Sequence, residues 1–118
     1  MKNEIKKTSK IDITIGLNDQ KVPVDITWHS DDQPNENGKN RAKAMLLSLF
    51  DKTHMDTLKI DLWTTEMQVL EMDRFFYQTL RGLADTYYKA TQNAELANEM
   101  QRFVQYFGEK TEIIPPVK

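Results

Sequence analysis

The chain has 118 residues, a formal net charge of −2 and no cysteine. That length fits one domain able to bury a core without covalent staples. The composition excludes a disulfide framework and a thiol nucleophile, and the mildly acidic pI near 5.7 argues against the basic footprint of a nucleic-acid binder.

The first nine residues are basic, with Lys2, Lys6 and Lys7 against Glu4, and read as a flexible, solvated N-terminus. They lack the apolar run of a secretory leader, and no window reaches the roughly 20 apolar residues that span a bilayer. A cytoplasmic protein without membrane insertion is therefore expected. Ile11, Ile13, Ile15 and Leu17 then alternate with Asp12, Thr14 and Gly16, the period of a strand with one apolar face. Asn18 to Lys21 supplies turn chemistry. Val22, Val24, Ile26 and Trp28 alternate again, so the two runs predict a β-hairpin. Pro23 has no N–H and belongs at a strand start or edge.

His29 to Gly38 is wholly polar and reads as a mobile loop. Lys39 to Asp51 reads as a helix, with Ala42, Met45, Leu46, Leu49 and Phe50 on one face; Leu47 falls off that stripe. Lys52 to Asp56 is a connector. Leu58, Ile60 and Leu62 alternate with Lys59, Asp61 and Trp63 as a third strand. Thr65 and Gln68 match a capping box, opening a long helix that runs to about Thr91. Its stripe of Val69, Met72, Phe76, Leu80, Leu83 and Tyr87 is widened by Leu70, Tyr77, Ala84 and Tyr88. The apolar arc is then about 180°, beyond the roughly 100° of a surface helix. Asn93 caps a last helix with a stripe of Leu96, Met100, Phe103 and Phe107, and Gly108 is a natural stop. Residues 109–118 read as an extended tail. The expected fold is α+β, a single domain with a three-stranded, mainly antiparallel sheet and helices packed on one face, in the order ββαβαα.

Site chemistry is sparse. The four glycines, Gly16, Gly38, Gly82 and Gly108, form no phosphate-binding loop. His29 with Asp31 and Asp32, and His54 with Asp56, are the His–carboxylate groupings; each falls short of the three or four converging ligands of a zinc site. No nucleophile elbow surrounds Ser30 or Ser48. Asp73 is the one acid inside the apolar arc of the long helix, where a local partner explains it better than catalysis. Gly82 costs about 1 kcal/mol in mid-helix, which close approach of another backbone would offset. Trp28 and Trp63 end their strands and either seal a core edge or anchor a partner. No catalytic residue, metal site or cofactor follows. The candidate partner or packing surface comprises Trp28, Trp63, Phe75, Gly82 and Tyr88.

Three segments carry a resemblance: Lys43-Ala44-Met45-Leu46-Leu47-Ser48-Leu49-Phe50-Asp51, Asp56-Thr57-Leu58-Lys59-Ile60-Asp61-Leu62-Trp63-Thr64, and Glu71-Met72-Asp73-Arg74-Phe75-Phe76-Tyr77-Gln78-Thr79-Leu80. With Val22-Pro23 and Ile26-Thr27-Trp28, they make the chain resemble the gliding-motility-associated GldC family of Bacteroidota, from roughly Ile11 to Phe107. The Asp31 to Gly38 loop and the Ile113-Ile114-Pro115-Pro116 tail depart from that pattern. The resemblance implies a small, cytoplasmic, non-enzymatic accessory to surface gliding, and it brings no catalytic residue to carry over.

The leading expectation is a protein–protein interaction module supporting a motility or secretion machine, because surplus apolar surface marks interaction sites. A chaperone-like or homo-oligomeric domain, including a homodimer, would use the same surface. A small-ligand binder with a pocket between sheet and helices, near His54, Asp56 and Asp73, is the reading from a different class.

Overall fold

The computed structural model describes residues 3–32 and 40–115. The chain divides into two compact units, Met1–Met67 and Gln68–Lys118. The first is all strand and the second all helix, so the α+β class stands.

In the first unit, β1 (Ile11–Leu17), β2 (Pro23–Ser30) and β3 (Asn40–Ala42) form a three-stranded antiparallel sheet in that order. The β1–β2 turn is built on Asn18. Its carboxamide oxygen accepts from the N–H groups of Gln20 and Val22 at 2.8 and 3.0 Å, while Lys21 takes the left-handed conformation at φ 62°. Pro23 opens β2, where its missing N–H costs least. Ile15, Ile26 and Ala42 lie side by side across the sheet, and Ile26 is fully buried.

β2 outlasts the expected strand. His29 pairs with Asp12 and Ser30 with Ile11, so both belong to the ladder rather than to the following loop. The strand partner decides this, since the apolar alternation ends at Trp28. Lys10 and Asp31 then close the ladder, with Asp31 N–H to Lys10 C=O at 3.1 Å and Lys10 N–H to the Asp31 carboxylate at 3.0 Å. The rest of the expected loop, 33–38, lies outside the described residues.

One expected element changes type. Within the segment read as a helix, Lys39 to Asp51, the described residues form strands instead: β3 and then β4 (Ala44–Phe50), with Lys43 between them. β4 pairs in register with β5 (Thr57–Trp63) as a second, two-stranded antiparallel sheet. The third strand expected from the sequence is therefore β5, and its partner is the segment taken for a helix. Ala, Met and Leu are good helix formers, and a short apolar run does not distinguish helix from strand by its period. Leu47 is the residue that fits only the strand: it is the centre of the row Met45, Leu47, Leu49.

In the second unit, α1 (Val69–Thr91) and α2 (Ala94–Lys110) form an antiparallel helical hairpin. α1 starts later than the expected Thr65 cap. Thr64 to Met67 form a turn, with Met67 N–H to Thr64 C=O at 3.1 Å, and Thr65 N–H is spent on Pro23 C=O at 3.3 Å. The capping box falls instead on Gln68 and Glu71, whose Oε1 accepts from Gln68 N–H at 3.0 Å. Gln92 at φ 60° ends α1, its N–H bonded to Tyr88 C=O at 2.8 Å. Asn93 caps α2 as expected, Oδ1 accepting from Leu96 N–H at 3.1 Å.

The two helices meet on small residues. Ala84 is buried on α1, and Ala97, Val104 and Gly108 on α2. Neither glycine plays its expected role. Nothing lies within 4 Å of a Cβ built on Gly82, so no backbone approaches it. Gly108 does not stop α2; it is buried inside the helix against Tyr77 and Ile114. The stop is Glu112 at φ 63°, with its N–H on Glu109 C=O at 3.1 Å, a left-handed C-terminal motif. The tail thus departs from helix at Thr111 rather than at residue 109.

Candidate interaction surface

The β4–β5 register sorts this hairpin into two unlike faces. Three directly opposed pairs, Met45–Leu62, Leu47–Ile60 and Leu49–Leu58, put six apolar side chains on one face. The other is mixed, with Ser48 opposite Lys59, Leu46 opposite Asp61, Phe50 opposite Thr57 and Ala44 opposite Trp63, and Lys59 Nζ 2.8 Å from Asp61 Oδ2. Such alternation belongs to a sheet with one face solvated and the other covered. Yet no residue of either strand is buried. Leu49, Leu58 and Ile60 are 53%, 57% and 41% exposed.

The turn that closes this hairpin is held electrostatically. The Asp51 carboxylate accepts from the N–H groups of His54 and Thr53 at 2.6 and 3.1 Å and faces His54 Nδ1 at 3.0 Å. The backbone N–H of His54, then its ring, hold the Asp51 carboxyl below its ordinary value. Met55 completes the turn at φ 61°. His54 is thus a partner of Asp51 rather than of Asp56. Among the described residues no group of three or more His, Cys, Asp or Glu side chains is placed to hold a metal ion.

A small cleft of about 190 Å³ lies at the opposite end of the first unit, lined by Val24, Asp25, Arg41, Ala42, Lys43, Thr64 and Glu66. It is smaller than the roughly 300–1,000 Å³ of pockets that enclose a small molecule. Arg41 Nε and Nη2 both contact Asp25 Oδ1, at 3.2 and 3.0 Å. Thr64 is 2% exposed, and its hydroxyl is sealed from solvent with no hydrogen-bond partner.

The residues singled out from the sequence do not converge. Trp28 is half-buried in β2 between Ile13 and Asn40. Trp63 is exposed at the end of β5, opposite Ala44. Phe75 stacks edge-on against Phe76 at 6.2 Å. Phe75 and Gly82 share one side of α1 at a seven-residue spacing, whereas Tyr88 stands on another. The apolar face of β4–β5 escaped that list because half of it was assigned to a helix; the alternation of Leu58, Ile60 and Leu62 was its visible half.

Fold and surface together define a small α+β protein with an apolar face on its two-stranded sheet. The family model described as gliding motility-associated protein GldC-like matches residues 23–113. The chain belongs to this GldC-like family, as the resemblance led us to expect. No curated protein and no solved structure matches it. No helix among the described residues is long and apolar enough to cross a membrane.

Proposed function

We propose that this gliding-motility-associated chain is a non-enzymatic docking module, working in the cytoplasm, that holds an apolar, uncharged segment of another protein of a cell-surface motility or secretion machine. The observation that carries this reading is the face of Met45, Leu47, Leu49, Leu58, Ile60 and Leu62, apolar at every position, with Leu49, Leu58 and Ile60 exposed and the other three half-buried. A two-stranded hairpin is marginal by itself. A covering surface contributes most where it removes such side chains from water. A charged partner would find nothing on this face to pair with.

The test is complementation in a gliding bacterium that lacks its GldC-like protein, using the wild-type chain and the double variant Leu58→Lys, Ile60→Lys. The wild type is expected to restore spreading and the variant to fail at equal abundance and unchanged circular dichroism. Full rescue by the variant would remove the face from consideration. In parallel, cross-linking in cells should give heteromeric species that the variant loses.

A further inference from the structure

β1 is an outer strand of its sheet, and the ladder fixes which of its backbone groups face away from β2. In antiparallel pairing, residues that exchange backbone bonds with the opposite strand alternate with residues whose N–H and C=O point the other way. The Asp31 N–H to Lys10 C=O bond at 3.1 Å makes Lys10 a bonded position. The register carries that parity to Asp12, Thr14 and Gly16. Ile11, Ile13 and Ile15 therefore turn their N–H and C=O groups outward, where no backbone partner meets them among the described residues.

Outer strands are commonly blunted by Lys, Pro or a bulge. β1 contains neither Lys nor Pro, and the irregularity beside it adds its extra residue, Val24, to β2. The side chains are open too: Ile11 is 68%, Ile13 40% and Leu17 54% exposed. Unpaired strand groups ask for an extended backbone beside them. The second unit is all helix among its described residues, and each other strand of the first unit already has a partner.

We infer that β1 pairs with β1 of a second copy of the chain, antiparallel about a two-fold axis at Thr14, joining the two three-stranded sheets edge to edge. The sequence of β1 selects this register. Ile11 of each chain lies opposite Leu17 of the other, and Ile13 opposite Ile15, on the face that carries Ile26. On the other face Thr14 meets its own copy, and Asp12 meets Gly16, where no side chain competes for the space. Every apolar residue of β1 then faces an apolar one, and no like charges are opposed. An axis at Asp12 would set two carboxylates against each other. An axis at Ile13 would place Leu17 opposite Ser9, and one at Ile15 would place Ile11 opposite Asp19. A slip of one residue would set the apolar row against the polar one. A strand that fits its own reverse on both faces suits the self-complementary contact of a two-fold dimer. The edge belongs to a different sheet from the β4–β5 face, so the inference goes beyond the proposed docking role and does not depend on it.

The experiment uses the purified full chain. Sedimentation equilibrium should give twice 13.8 kDa. Ile13→Pro removes an outward N–H and spares the bonds to β2, so it should return the mass to that of one chain with unchanged circular dichroism. The chain has no cysteine, so single-thiol variants report contacts directly. Thr14→Cys sets two thiols across the axis on Cα atoms about 4.5 Å apart, within reach of a disulfide. Asp12→Cys, exposed on the same face of the same strand, sets them four residues apart, roughly 14 Å. Oxidised glutathione should join Thr14→Cys roughly tenfold or more faster than Asp12→Cys, because pairing raises the effective concentration of the facing thiols. These two variants decide the question even if Ile13→Pro fails to fold. A wild-type mass of one chain at every concentration would overturn the inference and leave the edge to an extended segment of another protein. Equal oxidation at the two positions would overturn it as well.

Discussion

Tyr77 and Gly108 meet where α1 and α2 pack: a methyl group on Gly108 would lie 2.7 Å from Tyr77 Cε1 and 2.9 Å from two carbons of Ile114. Those distances are well inside van der Waals contact, and the aromatic ring is held between two helices. Gly108→Ala should therefore destabilise the protein by about 1–3 kcal/mol through overpacking. Gly82→Ala should do the reverse, stabilising by up to about 1 kcal/mol, because its added methyl meets nothing and helix propensity improves. Urea denaturation of both variants checks the pair. Equal effects would mean that the helices do not close on Gly108.

Ile26 is the largest fully buried side chain among the described residues. It sits between Ile15 and Ala42 in the middle of the three-stranded sheet. Ile26→Ala should cost about 2–5 kcal/mol, the usual range for emptying a packed core site. The loss should appear in the denaturation midpoint with little change in slope. A loss under about 1 kcal/mol would show that this sheet contributes little to global stability.

Thr64 carries a sealed hydroxyl with no hydrogen-bond partner. Burying an unpaired hydroxyl costs about 1–3 kcal/mol, and valine has nearly the same shape. Thr64→Val should raise stability by about 1 kcal/mol. A clear decrease would reveal a partner for the hydroxyl in solution.

Asp51 sets a pH dependence. Its carboxyl is held below the ordinary value by the His54 N–H, the His54 ring and the Thr53 N–H. A depressed folded-state value means that the stabilisation is complete above the unfolded-state value, about 4. It then fades as the pH falls through the lower folded-state value. Asp51→Ala should be less stable than wild type at neutral pH, with the two curves converging below about pH 4. Thermal melts across that range test the sign; a gap that widens in acid would contradict it.

Much of the fold was legible because its signals are local. The alternation of Ile11, Ile13, Ile15 and Leu17, the Asn18 turn and the Asn93 cap each reside within a few consecutive residues, and the structure places them as read. The family resemblance was legible for the same reason, as an ordered set of short segments. The Lys39 to Asp51 segment was not. Its residues favour a helix locally, and only pairing of Asn40–Ala42 with β2 and of Ala44–Phe50 with Thr57–Trp63 makes strands of it, by exchanging backbone bonds along i to i−4 for ladders to partners. The candidate surface went unseen with it, because an apolar face shared by two strands exists only once both are strands.

The amino-acid sequence by itself determined the α+β class, the long α1 helix, the absence of cysteine chemistry and the family. Tertiary structure alone decided which glycine is crowded, since Gly82 and Gly108 differ by what lies beside them and not by their neighbours in sequence. It likewise decided how the broad apolar arc of α1 is divided: Ala84 and Tyr77 face α2, while Phe76 and Leu83 remain open. Periodicity specifies that a face is apolar; only packing specifies what covers it.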